Sequence, residues 1–215
     1  MVAPGYDFLD NLSGAGAVFL GAALATIGGL AATQMEWYFE RRRRGQQAAV
    51  FFGEVLTTLH IILDIAHRTH GRGDPFGPIT MRMLRSAKGE IAVYDRNRET
   101  LFDLGDAKMR SRIHTLILRL NASLEGVFDA GDEIRNVEFR LKSADLTPAQ
   151  REDLEARLIG LIANREGGYE FTMENAEQLL DTVRALEPMA RHAFDIGERA
   201  AAEAAAVTGG TIPPA

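Results

Sequence analysis

The stretch from Asn11 to Met35, NLSGAGAVFLGAALATIGGLAATQM, decides the architecture of this chain. It runs for 25 residues without a charge, held between Asp10 and Glu36. A helix needs roughly 20 largely apolar residues to cross a hydrocarbon core of about 30 Å, so the segment is long enough for one membrane span. Its flanks set a direction. Downstream stand Trp37, Tyr38 and Phe39, amphipathic rings suited to the headgroup level, and then Arg41, Arg42, Arg43 and Arg44. Upstream there are Asp7 and Asp10 and no basic side chain. That asymmetry is the positive-inside pattern, with the C-terminal side in the cytoplasm.

Other readings of the stretch fit less well. A cleaved signal peptide would carry a basic leading region and a shorter apolar run. A core helix sits poorly beside four consecutive arginines. Gly14-Ala15-Gly16 opens like a dinucleotide fingerprint, but its third glycine would fall at Phe19 and no strand precedes it. Within the span, Ala17, Gly21, Ala25 and Gly29, followed by Thr33, recur every four positions. Small residues at that spacing let two helix backbones approach closely in lipid, so they form the expected helix-packing face.

The remainder reads as a folded helical domain. The 215 residues are 46% hydrophobic and 25% charged, which excludes wholesale disorder. The absence of cysteine excludes disulfides, thiolate zinc sites, Fe–S clusters and a cysteine nucleophile. Residues 1–44 hold four acids and four arginines, so the net charge of -6 belongs to residues 45–215, and no nucleic-acid partner is expected. Ala48 to Thr69 is apolar on a wide arc; it either continues the membrane helix directly or parts from it at Gly45, the weak point between them. Gly71 to Pro78 is a loop by its density of breakers. Its Arg72-Gly73-Asp74 is set aside as an adhesion motif because of the cytoplasmic placement. A helical region from Ile79 to Leu104 is expected to break near Gly89.

Asp106 then opens a long helix in which Ile113, Leu120, Val127, Ile134 and Leu141 repeat every seven residues, with Ile117 and Leu124 in the second seam position. Thr147, Pro148 and Gln150 form the start of another helix, a capping box with proline at the first helical position. That helix keeps its rhythm through Tyr169, Thr172, Ala176, Leu179, Val183, Leu186, Ala190 and Ala193 and fades in the alanines at 200–206. So short a connection implies an antiparallel, coiled-coil-like hairpin over residues 106 to about 200, pairing positions whose numbers sum to about 295. This would bring Gly126 and Gly131 level with Gly167 and Gly168.

The fold expected is therefore all-α: a short outer segment at 1–11, the transmembrane helix and interface at 12–40, and a basic cluster with a membrane-proximal helix at 41–70. A loop at 71–78, a helical bundle at 79–206 and a disordered tail at 207–215 complete it. For chemistry, His60, Asp64 and His67 share one helix face and are the candidate metal ligands. A solvated polar stripe explains the same spacing. No P-loop, G-x-S-x-G or H-E-x-x-H is present, Glu-x-x-His repeats are missing, and no catalytic constellation or cofactor site is visible. In general make-up the chain resembles small membrane-anchored helical proteins of bacteria, with no motif that assigns a family. The function expected is tethering, scaffolding or assembly at the cytoplasmic face of the cell membrane. Its partners would be the lipid bilayer and other membrane or cytoplasmic proteins, a second copy included. The alternative is a membrane-anchored sensor binding a metal ion or proton at the His60 stripe.

Overall fold

The computed structural model describes residues 6–143 and 145–194, with side chains from Val18 onward except that of Leu20. Among the described residues the chain is all-helical, with no strand. The elements are α1 (Tyr6–His70), α2 (Pro78–Arg96), a 3-10 helix (Arg98–Asp103), α3 (Ala107–Leu141) and α4 (Pro148–Ala190). Two compact units divide the chain, Met1–Arg44 and Gly45–Ala215.

Helix α1 begins at Tyr6, within the short segment read as 1–11, and continues through Gly45 to His70. It is long and apolar enough to cross a membrane. Its most apolar 18-residue window is 61% buried, yet every residue from Gly21 to Arg44 is exposed. That window therefore lies in the half after Gly45, which forms core. The half before Gly45 is the exposed one.

The second unit builds one core from four helices. Phe52, Leu56, Leu59 and Leu63 come from α1, and Leu84, Ala87, Ile91 and Tyr94 from α2. Ile113, Ile117, Leu120, Leu124 and Val127 come from α3, and Leu179, Val183 and Leu186 from α4. Each set recurs at three- and four-residue spacing, the stripe that an amphipathic helix turns inward. The ends are fixed chemically. Asp106 accepts from the Lys108 and Met109 amides at the start of α3, and Thr147 and Gln150 cap each other's backbone at the start of α4.

Several expectations need correction. Helix α2 passes straight through Gly89; the break falls at Asn97, whose side chain donates to the Val93 carbonyl at 2.8 Å, and a tighter 3-10 turn follows. Pro78 is the first residue of α2 rather than the last of the loop. Helix α4 stops at Ala190, because Arg191 adopts the left-handed conformation with φ 53° and Pro188 lacks the amide to extend the ladder. Ala193 is accordingly exposed, while Phe194 folds back and is buried. The alanines at 200–206 and the tail at 207–215 lie outside the described residues.

Helices α3 and α4 meet at Ser123 and Thr172, whose hydroxyls are 2.8 Å apart, at Val127 and Gly168, and at the ion pair of Glu133 with Arg157. Arg151 reaches the Leu141 carbonyl at 3.4 Å. Of the four glycines expected at one level, Gly168 alone is in tight contact: a Cβ there would come within 3.2 Å of the Val127 methyl. Gly126 and Gly167 face open space and Gly131 only touches Arg165, so no glycine-to-glycine crossing forms.

Candidate functional site

Two regions carry unusual features, one in each unit. In the first, Val18 and Phe19 are 74% and 82% exposed, and Leu24, Ile27 and Leu30 are each above 60%. The Thr26 and Thr33 hydroxyls donate to the Ala22 and Gly29 carbonyls four residues back, at 2.8 and 2.9 Å. Bonded to their own helix, they present little polarity outward. Gly21, Ala25 and Gly29 are exposed, and a Cβ at either glycine meets nothing within 4 Å. The side chain of Ala17 lies outside the described residues. Trp37 and Tyr38 are exposed, as are Arg41, Arg42, Arg43 and Arg44; the Arg41 guanidinium lies 5.3 Å over the Trp37 ring.

In the second unit three of the five histidines gather where the end of α1 meets α4. His60, Asp64 and His67 line a cavity of about 130 Å³ together with Met173, Ala176 and Glu177. The stripe that looked solvent-facing is thus half covered by α4. His60 Nδ1 is buried with no hydrogen-bond partner, and burial pushes the imidazole below its usual range, opposed by the Ala176 backbone. Asp64 is paired with Arg68 on its own helix. His67 Nδ1 lies 3.3 Å from the Tyr169 hydroxyl. Among the described residues, no three His, Asp or Glu side chains converge closely enough to hold a metal ion.

Beyond His67 lies a cluster that local sequence did not reveal. His70 stacks flat on Tyr169, centroids 3.8 Å apart at 10°, with its Nε2 3.3 Å from Glu166. Phe76 from the 71–77 loop sets its edge against both rings, and the Arg165 guanidinium lies 4.0 Å over Phe76. Burial first, and then Glu166, push the Tyr169 phenol up to about 12. Both influences favour the protonated phenol. Of the signals in the sequence, only the helical spacing of Arg165 and Tyr169 could have suggested a shared face. The cluster ties the end of α1, the loop and α4 together.

Asp132 and Arg135 form an exposed ion pair within α3, and Glu133 pairs across to Arg157 on α4. Asp95 makes no ion pair with Arg96 or Arg98 among the described residues.

Comparison settles no family. The chain matches no protein-family model, no curated protein and no solved structure.

Proposed function

We propose that the chain is a single-pass membrane protein that tethers or assembles partners at the cytoplasmic face of the cell membrane. One observation carries this reading: the second unit closes its core with the half of α1 after Gly45, leaving the apolar stretch from Gly21 to Met35 before it exposed. An exposed apolar surface of that extent calls for a covering phase, and the backbone-bonded threonines with the aromatic and arginine border suit lipid. In this reading residues 12–40 span the bilayer with the N-terminus outside. Helices α3 and α4 form an antiparallel hairpin, and its seam and the small-residue face are the surfaces for assembly. A second reading, proton sensing at His60, draws on the buried and unpartnered Nδ1 beside the cavity.

The test is fractionation. The full chain should remain in the membrane pellet after high-salt and alkaline washes, and a reporter fused after Ala215 should read cytoplasmic. Release by either wash would reduce the attachment to surface adhesion and end the reading. Pull-down from detergent-solubilised membranes then identifies what is tethered. If the small-residue face mediates self-association, Gly21→Leu with Gly29→Leu should reduce crosslinking of the span, whereas Ile27→Leu on the opposite face should not.

A further inference from the structure

The 3-10 helix and the first turns of α3 hold a strongly basic concave surface. A cavity of about 420 Å³ is lined by Arg98, Phe102, Arg110, Ser111 and His114. A second, of about 400 Å³, shares Ser111 and adds Lys108, Arg112 and Arg119. Five cations thus line two adjoining hollows, and no carboxylate lines either, in a chain of net charge -6. None of the five is in an ion pair among the described residues. Glu99 and Asp103 on the 3-10 helix are exposed and line neither cavity, and Asp106 is committed to the α3 amides. Arg110 gives one N–H to the Leu104 carbonyl and keeps its charge.

Position adds a second argument. The Asp103 carbonyl lies so close to Gly45 that a Cβ there would be 3.0 Å away, so the 3-10 helix packs on the first residue of the second unit. Gly45 follows Arg44 directly, and the six residues from Phe39 to Gly45 cannot reach more than about 20 Å even fully extended. Phe102, on the same 3-10 helix, is 79% exposed at the rim of the first cavity. A soluble anion gives no role to such a ring, whereas the headgroup layer takes up aromatic side chains readily.

Resting on the membrane reading above, we infer that the cavity lined by Arg98, Phe102 and Arg110 binds the phosphate headgroup of an anionic phospholipid in the membrane that the chain spans. Lys108 and Arg112 lie on the adjoining rim. Arg119 lies nine residues past Arg110, about 14 Å further along α3 at 1.5 Å per residue, out of reach of the same headgroup. The hollow would hold the domain against the bilayer and make its attachment depend on lipid charge.

The experiment uses the full chain in nanodiscs of phosphatidylcholine with increasing phosphatidylglycerol. The readout is hydrogen exchange of the amides at 98–105. Exchange should slow as phosphatidylglycerol rises. Arg98→Gln with Lys108→Gln, both exposed side chains, should weaken the response about fivefold per charge removed, Arg98→Lys should restore it, and Arg119→Gln should leave it intact. Exchange that ignores lipid charge would overturn the assignment, as would an equal loss in Arg119→Gln. Slowing by inorganic phosphate in pure phosphatidylcholine discs would also overturn it, by making this a soluble-anion site. A chain that fails to enter the discs defeats the membrane reading and this inference with it; entry with unchanged exchange defeats the inference alone.

Discussion

The two halves of α1 have similar composition and opposite surroundings. Before Gly45, Leu24, Ile27 and Leu30 stand exposed; after it, Phe52, Leu56 and Leu59 are fully buried. Apolar content therefore does not tell a span from a core helix. Partners do: the later half meets α2, α3 and α4, and its apolar arc leaves one strip for His60, Asp64 and His67. From Gly21 to Met35 the earlier half carries no charged side chain, and its two threonines are satisfied by its own backbone.

The strongest way to break this comparison is to place a charge in each half. Leu59→Asp should unfold the second unit, at about 3–5 kcal/mol for an uncompensated buried charge, visible as loss of its cooperative melt by circular dichroism. Leu24→Asp should leave that melt unchanged and instead reduce membrane retention, since an acid near the centre of a span costs about 2.5–3.5 kcal/mol. If Leu24→Asp lowers the melt, the earlier half is part of the core and the division fails.

A milder version uses glycine. A Cβ at Gly53 would come 2.0 Å from the Phe194 ring, whereas one at Gly29 meets nothing. Gly53→Ala must displace the ring and should lower stability by about 1–3 kcal/mol. Gly29→Ala should cost nothing and gain up to about 1 kcal/mol of helix stability. Equal melting temperatures for the two variants would mean that Phe194 does not occupy the gap.

The smallest effect concerns pH. Burial holds His60 below its ordinary value of 6.5, so the unfolded chain takes up the proton first. Stability is then complete above about 6.5 and is lost as pH falls below it. His67 faces the same cavity, and the carboxylates there, Asp64 from α1 and Glu177 from α4, temper the loss, as does the partial exposure of the site. The melting temperature should decline by a few degrees on acidification, and His60→Gln should flatten that decline. A profile unchanged by the substitution would remove His60 from consideration as a sensor.

Much of the helical pattern was legible because it is local. The seven-residue recurrence from Ile113 to Ile134 identified side chains that are buried, and Asp106, Thr147 and Gln150 marked helix starts through bonds within three residues. Leu141, the last in that series, is only partly covered, and Val137, outside the series, is buried. Illegible features depend on distance in sequence. His70 and Tyr169 stack from positions about a hundred residues apart, and Gly53 has meaning only once Phe194 arrives. Gly89 was misread for a related reason: a glycine is a break only where packing does not hold the helix, and Ala87 and Ile91 on either side are in the core.

The turn after α4 also places the second unit at the mercy of a protease. Arg191 is exposed and left-handed, and three residues later Phe194 fills the space over Gly53 with its amide held by Glu187 at 3.2 Å. A single tryptic cut after Arg191 would detach that ring without touching a helix. The core beside Gly53 would then lie open to solvent, and later cuts would follow from one nick in a surface turn.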